Sequence, residues 1–89
     1  MSSHQMDETQ LRLLSGRVLR ALRQQAGLSQ RELGESVGRN EVAISITETG
    51  RDYVPEEWIE PFARALACEP AELEVMLLYR HVGTLTRNK

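Results

Sequence analysis

Residues 22–34 read LRQQAGLSQRELG. Gly27 stands where a helix C-terminus wants a residue at positive φ. Two residues on, Ser29-Gln30-Arg31-Glu32 forms a capping box, in which the Ser29 hydroxyl and the Glu32 carboxylate each accept from a backbone N–H that an opening helix leaves without a partner. One helix therefore stops and another starts at a tight corner. The second is short, with Leu33 and Val37 inward and Gly38 providing the next turn.

Upstream of this corner, Leu11, Leu14, Val18, Leu22 and Ala26 recur at three- and four-residue spacing while Arg17, Arg20 and Gln24 fall opposite, the pattern of an amphipathic helix over about 7–26. Asp7 and Gln10 can box its start; Gly16 offers an alternative break. Downstream, Asn40 caps a third segment, Glu41 to Thr49, that Gly50 ends. Local signals conflict there. Val42, Ile44 and Ile46 alternate with Ala43, Ser45 and Thr47 in a β-branched stretch whose propensity favours a strand, but a lone ribbon among helices has little to pack on, so a helix is expected.

A fourth helix follows Val54-Pro55, with Trp58, Ile59, Phe62, Ala63 and Leu66 as its buried stripe and Pro61 expected to kink or restart it. A fifth opens at Glu69-Pro70 and runs to about Val82. Leu73, Met76 and Leu77 share one of its sides; Val75, Leu78 and Val82, with Tyr79 nearby, share the opposite one. One molecule can bury only one such stripe, so the face of Val75, Leu78, Tyr79 and Val82 is expected to pair with its copy in a twofold homodimer. The organisation expected is a flexible segment over 1–9, one domain over 10–82 with a C-terminal helix at about 70–82, and a tail over 83–89.

With 89 residues, 40 % apolar and 27 % charged, the chain has the composition of an ordinary small globular domain and no room for a second. A core this thin makes oligomerisation an expectation from the outset. A single cysteine, Cys68, excludes an internal disulfide and reads as a small buried hydrophobe; there is no Cys/His cluster for structural zinc. No apolar run approaches the ~20 residues of a membrane helix, and the polar start lacks the features of a signal peptide, so a soluble cytoplasmic protein is expected. His4 and His81 lie near the ends, and no grouping of nucleophile, base or carboxylate pair suggests an enzyme or a cofactor. Net charge is −2, but it is segregated: residues 10–51 hold seven arginines against four glutamates, whereas residues 52–75 hold seven acids against Arg64. The first half mildly attracts polyanions, and the second is a poor neighbour for phosphate.

Gln30, Leu33, Gly34, Gly38 and Ile44 occur at the spacing of a helix-turn-helix unit over about 29–50, with Gly34 small because a helix crosses close to it. From Gly16 to Leu73, the run GRVLRALRQQAGLSQRELGESVG, then AIS at 43–45, Glu48, Gly50 and FARALA at 62–67, resembles the Cro and phage-repressor type of helix-turn-helix protein, often called the XRE family. The resemblance spans about two thirds of the chain. It implies an all-α, compact five-helix bundle of lambda-repressor-like fold, with a C-terminal dimerisation helix and a third helix that enters the major groove of a palindromic operator. Arg23 and Glu48 match a family pair that bridges the first and third helices, read here as structural. Gln30 matches a glutamine that grips the DNA. The groove-facing family positions fall at Glu41, Val42, Ser45 and Ile46 as candidate base contacts, while Gln30, Arg39, Asn40, Thr49, Arg51 and Tyr53 are candidate phosphate contacts.

Where repressors of this type often carry glutamine, serine or arginine on the reading helix, an acid and two aliphatics stand here. The family has an aliphatic residue at Thr47 and commonly a polar one at Ile46. With that polarity swapped, either the helix rotates to tuck Ile46 inward or Ile46 stays outside because something apolar meets it. The resulting expectation is a small dimeric repressor or controller that binds double-stranded DNA. The rival is a helix-turn-helix scaffold serving as a protein-interaction module, antiactivator or antitoxin-like, that uses Ile46 with Asp52, Glu56, Glu57 and Glu60.

Overall fold

Both backbone N–H groups at the start of the first helix find side-chain acceptors: Asp7 Oδ1 takes the Gln10 N–H at 2.8 Å and Gln10 Oε1 takes the Asp7 N–H at 3.1 Å. In a computed structural model that describes residues 7–77, this box opens α1 over Glu8–Gln25. α1 thus begins at Glu8, within the stretch 1–9 set apart from the domain above. Gly16 does not break it. The Ser29/Glu32 box opens α2, Gln30–Glu35, and Asn40 caps α3, Glu41–Glu48, by accepting the Ala43 N–H. Next comes a 3-10 turn, Glu56–Trp58, followed by α4, Ile59–Leu66, and α5, Pro70–Leu77. The described residues contain five α-helices and no strand, so the β-branched stretch 42–47 is helical despite its local propensity.

Pro61 neither kinks α4 nor restarts it. The helix begins two residues before it, so the missing proline N–H falls among first-turn donors that have no intrahelical acceptor in any case. The turn after Pro55 is instead 3-10, closed by the Trp58 N–H on the Pro55 carbonyl at 3.0 Å.

The ends of the first four helices share one geometry. In each, a residue at positive φ donates its N–H three residues back, and the next residue donates five residues back, the pair of bonds that defines a Schellman end. Gly27, Gly38 and Gly50 occupy the positive-φ position in three of them, at φ 74°, 70° and 81°. At the fourth, Ala67 sits at φ 60°, with its N–H on Arg64 and that of Cys68 on Ala63. A Cβ in left-handed backbone is unfavourable by about 1–2 kcal/mol, partly offset by the smaller unfolded-state entropy of alanine. Ala67→Gly is therefore expected to raise stability by about 0.5–1 kcal/mol, read as a melting temperature roughly 3–6 °C higher. An unchanged or lower melting temperature would contradict the strain assigned to this turn.

Leu19, Leu33, Ile44, Phe62, Leu73 and Leu77 are fully buried, one or two from each helix, and Trp58 tilts against Phe62 with ring centroids 5.5 Å apart. α3 packs chiefly on α2 and α1, while α5 packs on α4 and α1. α1 consequently carries two contact stripes. Leu11, Leu14, Val18 and Leu22 are only half-buried; Ser15, Gly16 and Leu19 are the residues of α1 that are buried outright. Ala26, expected on the inward stripe, is exposed. Cys68 is half-buried, and its thiol is pushed up from the ordinary range first by burial and then by the charges of Glu72 and Glu69.

On α5, Leu73 and Leu77 are buried and Val75 is 55 % exposed. Leu78, Tyr79 and Val82, the rest of the face expected to pair with a second copy, lie outside the described residues, as does the part of the expected helix beyond 77. Among the described residues no helix is long and apolar enough to cross a membrane.

Candidate nucleic-acid interface

α3 has one side in the core and one side free. Ile44 and Thr47 are buried, whereas Glu41, Val42 and Thr49 are exposed and Ser45 is half-exposed. Spacings of one, three and four residues set 41, 42, 45 and 49 on a single outward arc. Val42, 59 % exposed, is its most prominent apolar group. Exposed arginines stand at both ends of the helix, Arg39 before the Asn40 cap and Arg51 after Gly50.

Two glycines set how α3 is seated. A Cβ on Gly16 would fall on the Glu48 carbonyl oxygen and within 2.6 Å of that of Thr47, so the backbone of α1 touches the backbone of α3 directly. A Cβ on Gly34 would come within 2.6 Å of the Arg39 carbonyl oxygen and 3.0 Å of that of Asn40. Gly34 is thus small because the turn leading into α3 passes over it, rather than a helix as the spacing suggested.

Behind the helix, Glu48 is the centre of a buried polar cluster. Arg23 Nε donates to Glu48 Oε2 at 2.6 Å and Arg23 Nη2 to Oε1 at 3.1 Å, while Arg23 Nη1 reaches the Leu28 carbonyl at 2.8 Å. The side chains of Arg23 and Glu48 are 11 % and 3 % exposed. Hydrogen bonding to Glu48 holds the guanidinium above its ordinary pKa, against a burial effect of opposite sign and with help from the carboxylate charge. Gln30 joins the cluster: its Nε2 donates to Glu48 Oε1 at 3.0 Å. The carboxylate therefore ties α1, α2 and α3 together, and one N–H of the glutamine expected to grip DNA is engaged within the protein.

Thr47 resolves the swapped polarity. The helix is not rotated: Thr47 keeps the core position, 4 % exposed, with its hydroxyl donating to the Ile44 carbonyl at 2.8 Å, so its methyl serves the core and its polar atom is satisfied. Ile46 is half-buried and lines a groove of about 230 Å³ between α3 and the segment 52–58, together with Arg39, Ala43, Tyr53 and Trp58. It sits at the margin of the outward arc, flanked by its own chain.

Two expected phosphate contacts are otherwise disposed. The Tyr53 hydroxyl is buried instead of facing outward, which places this tyrosine in the fold and not among presented donors. Burial, and then the charge of Glu8, raise its pKa, with Arg12 opposing. The Thr49 hydroxyl donates to the Ser45 carbonyl at 2.8 Å. Arg12, which sequence reasoning passed over, reaches this end of α3: its Nε donates to the Gly50 carbonyl at 3.2 Å and its guanidinium carbon lies 5.8 Å from the Tyr53 ring centroid. The only signal that marks it is its spacing. Arg12, Gly16, Leu19 and Arg23 share the side of α1 turned to α3.

The helix-turn-helix domain family matches residues 16–76 of the chain. Among solved structures, the clp gene regulator ClgR from C. glutamicum is 30 % identical, over 75 % of this chain and 87 % of that one, with a TM-score of 0.64. The hypothetical transcription factor NHTF from Neisseria is 27 % identical, over 96 % and 95 % of the two chains, with a TM-score of 0.63. No curated protein sequence matches.

Proposed function

The chain belongs to the helix-turn-helix domain family, and from that premise we propose that it is a DNA-binding transcription regulator, a small dimeric repressor or controller that reads a palindromic operator with α3. The observation that carries this reading is the outward arc of α3. It is free along Glu41, Val42, Ser45 and Thr49, bracketed by Arg39 and Arg51, and seated from behind by backbone contact at Gly16 and Gly34. Regulators of transcription among the similar structures support it further.

In this reading Val42 meets thymine methyl groups, Glu41 accepts from a cytosine amino group, Ser45 reaches either strand, and Ile46 contributes at the groove margin. Arg39, Arg51 and the outward amide of Asn40 hold the backbone, with the second Gln30 N–H beside them. The twofold partner docks on the face of α5 that leaves Val75 exposed, and two copies present two α3 helices to successive major grooves.

Few cations are available. Of the seven arginines in 10–51, Arg23 is neutralised by Glu48 and Arg12 is turned to the protein's own backbone. With Arg39 and Arg51 as the phosphate cations of each subunit, affinity is expected to fall with salt at a logarithmic slope of about −3 to −4 for the dimer. A gel shift on the DNA upstream of the gene at two salt concentrations tests this. Arg39→Ala is expected to flatten the slope by about 1 per subunit, and Val42→Ala to reduce discrimination by about 1–3 kcal/mol with the slope unchanged. Wild-type protein that binds no duplex yet forms a stable complex with another protein through Asp52, Glu56, Glu57 and Glu60 would replace this reading with the interaction-module one.

A further inference from the structure

The peptide that joins Gly50 to Arg51 is held from both sides. Its N–H, on Arg51, donates to the Ile46 carbonyl at 3.1 Å, as part of the Schellman end of α3. Its carbonyl, on Gly50, accepts from Arg12 Nε at 3.2 Å. Arg12 itself is anchored: Nη2 lies 3.4 Å from the Thr9 hydroxyl, one turn earlier on α1, and the guanidinium faces the Tyr53 ring. Leu13 packs against the same glycine, since a Cβ on Gly50 would come within 2.8 Å of the Leu13 Cα. A peptide plane held at both its donor and its acceptor fixes where the next Cα sits, and the side chain that leaves from that point is that of Arg51.

From this geometry we infer that Arg12 is a positioning residue for DNA binding: it contacts no nucleic acid and acts by orienting Arg51 toward the phosphate backbone. The inference rests on the proposed DNA-binding function and adds to it a residue on α1 that sets the register of the helix exit. The orientation of Nε and Nη2 toward protein acceptors distinguishes Arg12 from Arg39 and Arg51, which are exposed. An arginine suits the position because its planar fork donates in two fixed directions while its face covers an aromatic ring; a lysine donates from one freely rotating point.

The test is a double-mutant cycle in full-length protein, with Arg12→Met, Arg51→Met and the double variant titrated against duplex DNA from upstream of the gene over a range of salt. Methionine keeps the aliphatic stem, and Arg12→Lys serves as a second variant that keeps the charge. Arg12→Met and Arg51→Met are each expected to weaken binding roughly tenfold. The double variant is expected to be no weaker than Arg51→Met and to share its salt slope. Arg12→Lys is expected to show a smaller loss in the same direction, and Arg51 amide exchange in the free protein is expected to accelerate in both Arg12 variants. Additive losses with a further drop of about 1 in slope per subunit would make Arg12 a phosphate contact itself and overturn the inference. So would wild-type affinity in Arg12→Met alongside a weakened Arg51→Met. A wild-type protein that binds no duplex would remove the DNA-binding reading itself, a result distinct from either.

Discussion

Arg23→Met is expected to destabilise the domain by about 3–5 kcal/mol, because it leaves the Glu48 carboxylate buried with Gln30 Nε2 as its remaining side-chain donor. The magnitude follows from the burial of both partners and from the two short bonds that disappear together, and the Leu28 carbonyl loses its Arg23 donor as well. In a domain of this size such a loss lowers the melting temperature by more than about 12 °C. Replacing both partners is expected to be far milder, since the double variant Arg23→Met/Glu48→Leu has no charge left to desolvate. Thermal or urea unfolding of the two single variants and the double variant closes the cycle. A double variant as unstable as the sum of the singles would show that the pair contributes through packing and not through charge. Where the double variant folds, its DNA affinity reports on orientation: the bridge from α1 to the end of α3 is gone while the core remains.

The second large effect is expected at Gly16. Alanine in a helix interior is favoured over glycine by about 1 kcal/mol, yet Gly16→Ala is expected to destabilise by about 1–2 kcal/mol net and Gly16→Val by about 3 kcal/mol or more. The opposing term is steric. The added carbon meets carbonyl oxygens of Thr47 and Glu48, backbone atoms that cannot swing aside as a flexible side chain would. Relief requires α3 to move off α1, so DNA binding is expected to fall further than stability alone accounts for, with loss of the Arg23–Glu48 geometry. Chemical denaturation together with duplex titration checks both parts. A Gly16→Ala variant more stable than wild type would mean the two helices are not in backbone contact.

Much of the fold was legible because its signals are local. Capping boxes at Asp7/Gln10 and Ser29/Glu32, the Asn40 cap and the glycines at 27, 38 and 50 each state their conformation within a few residues, and each lies at a helix end. The fourth Schellman end was not legible, because alanine at 67 carries no preference for positive φ; its backbone is imposed by the packing of α4 and α5 around it. Pro61 misled for a related reason. Its effect depends on where in a helix it falls, and the 3-10 turn that decides this has no strong sequence mark.

The candidate interface divides in the same way. The resemblance pointed to the outward positions of α3 and to Arg23 with Glu48, where local periodicity in 42–47 was ambiguous. That Tyr53 turns inward and that Ile46 rests at a groove margin depend on segments more distant than a helical turn, as does the burial of Thr47, although its hydroxyl is satisfied one turn back by Ile44. The stripe Arg12, Gly16, Leu19 and Arg23 escaped a search for apolar periodicity because only one of its four members is apolar.

By itself the sequence determined where the first, second, third and fifth helices begin and where the first three end, since caps and turn glycines act through neighbours no more than five residues apart. Only the tertiary structure decided which polar groups face the protein and which face out. A guanidinium turns to a carboxylate or a carbonyl when a distant segment brings that acceptor within about 3 Å in a place water does not reach. For Arg12 that partner is the Gly50 carbonyl, at the far end of another helix.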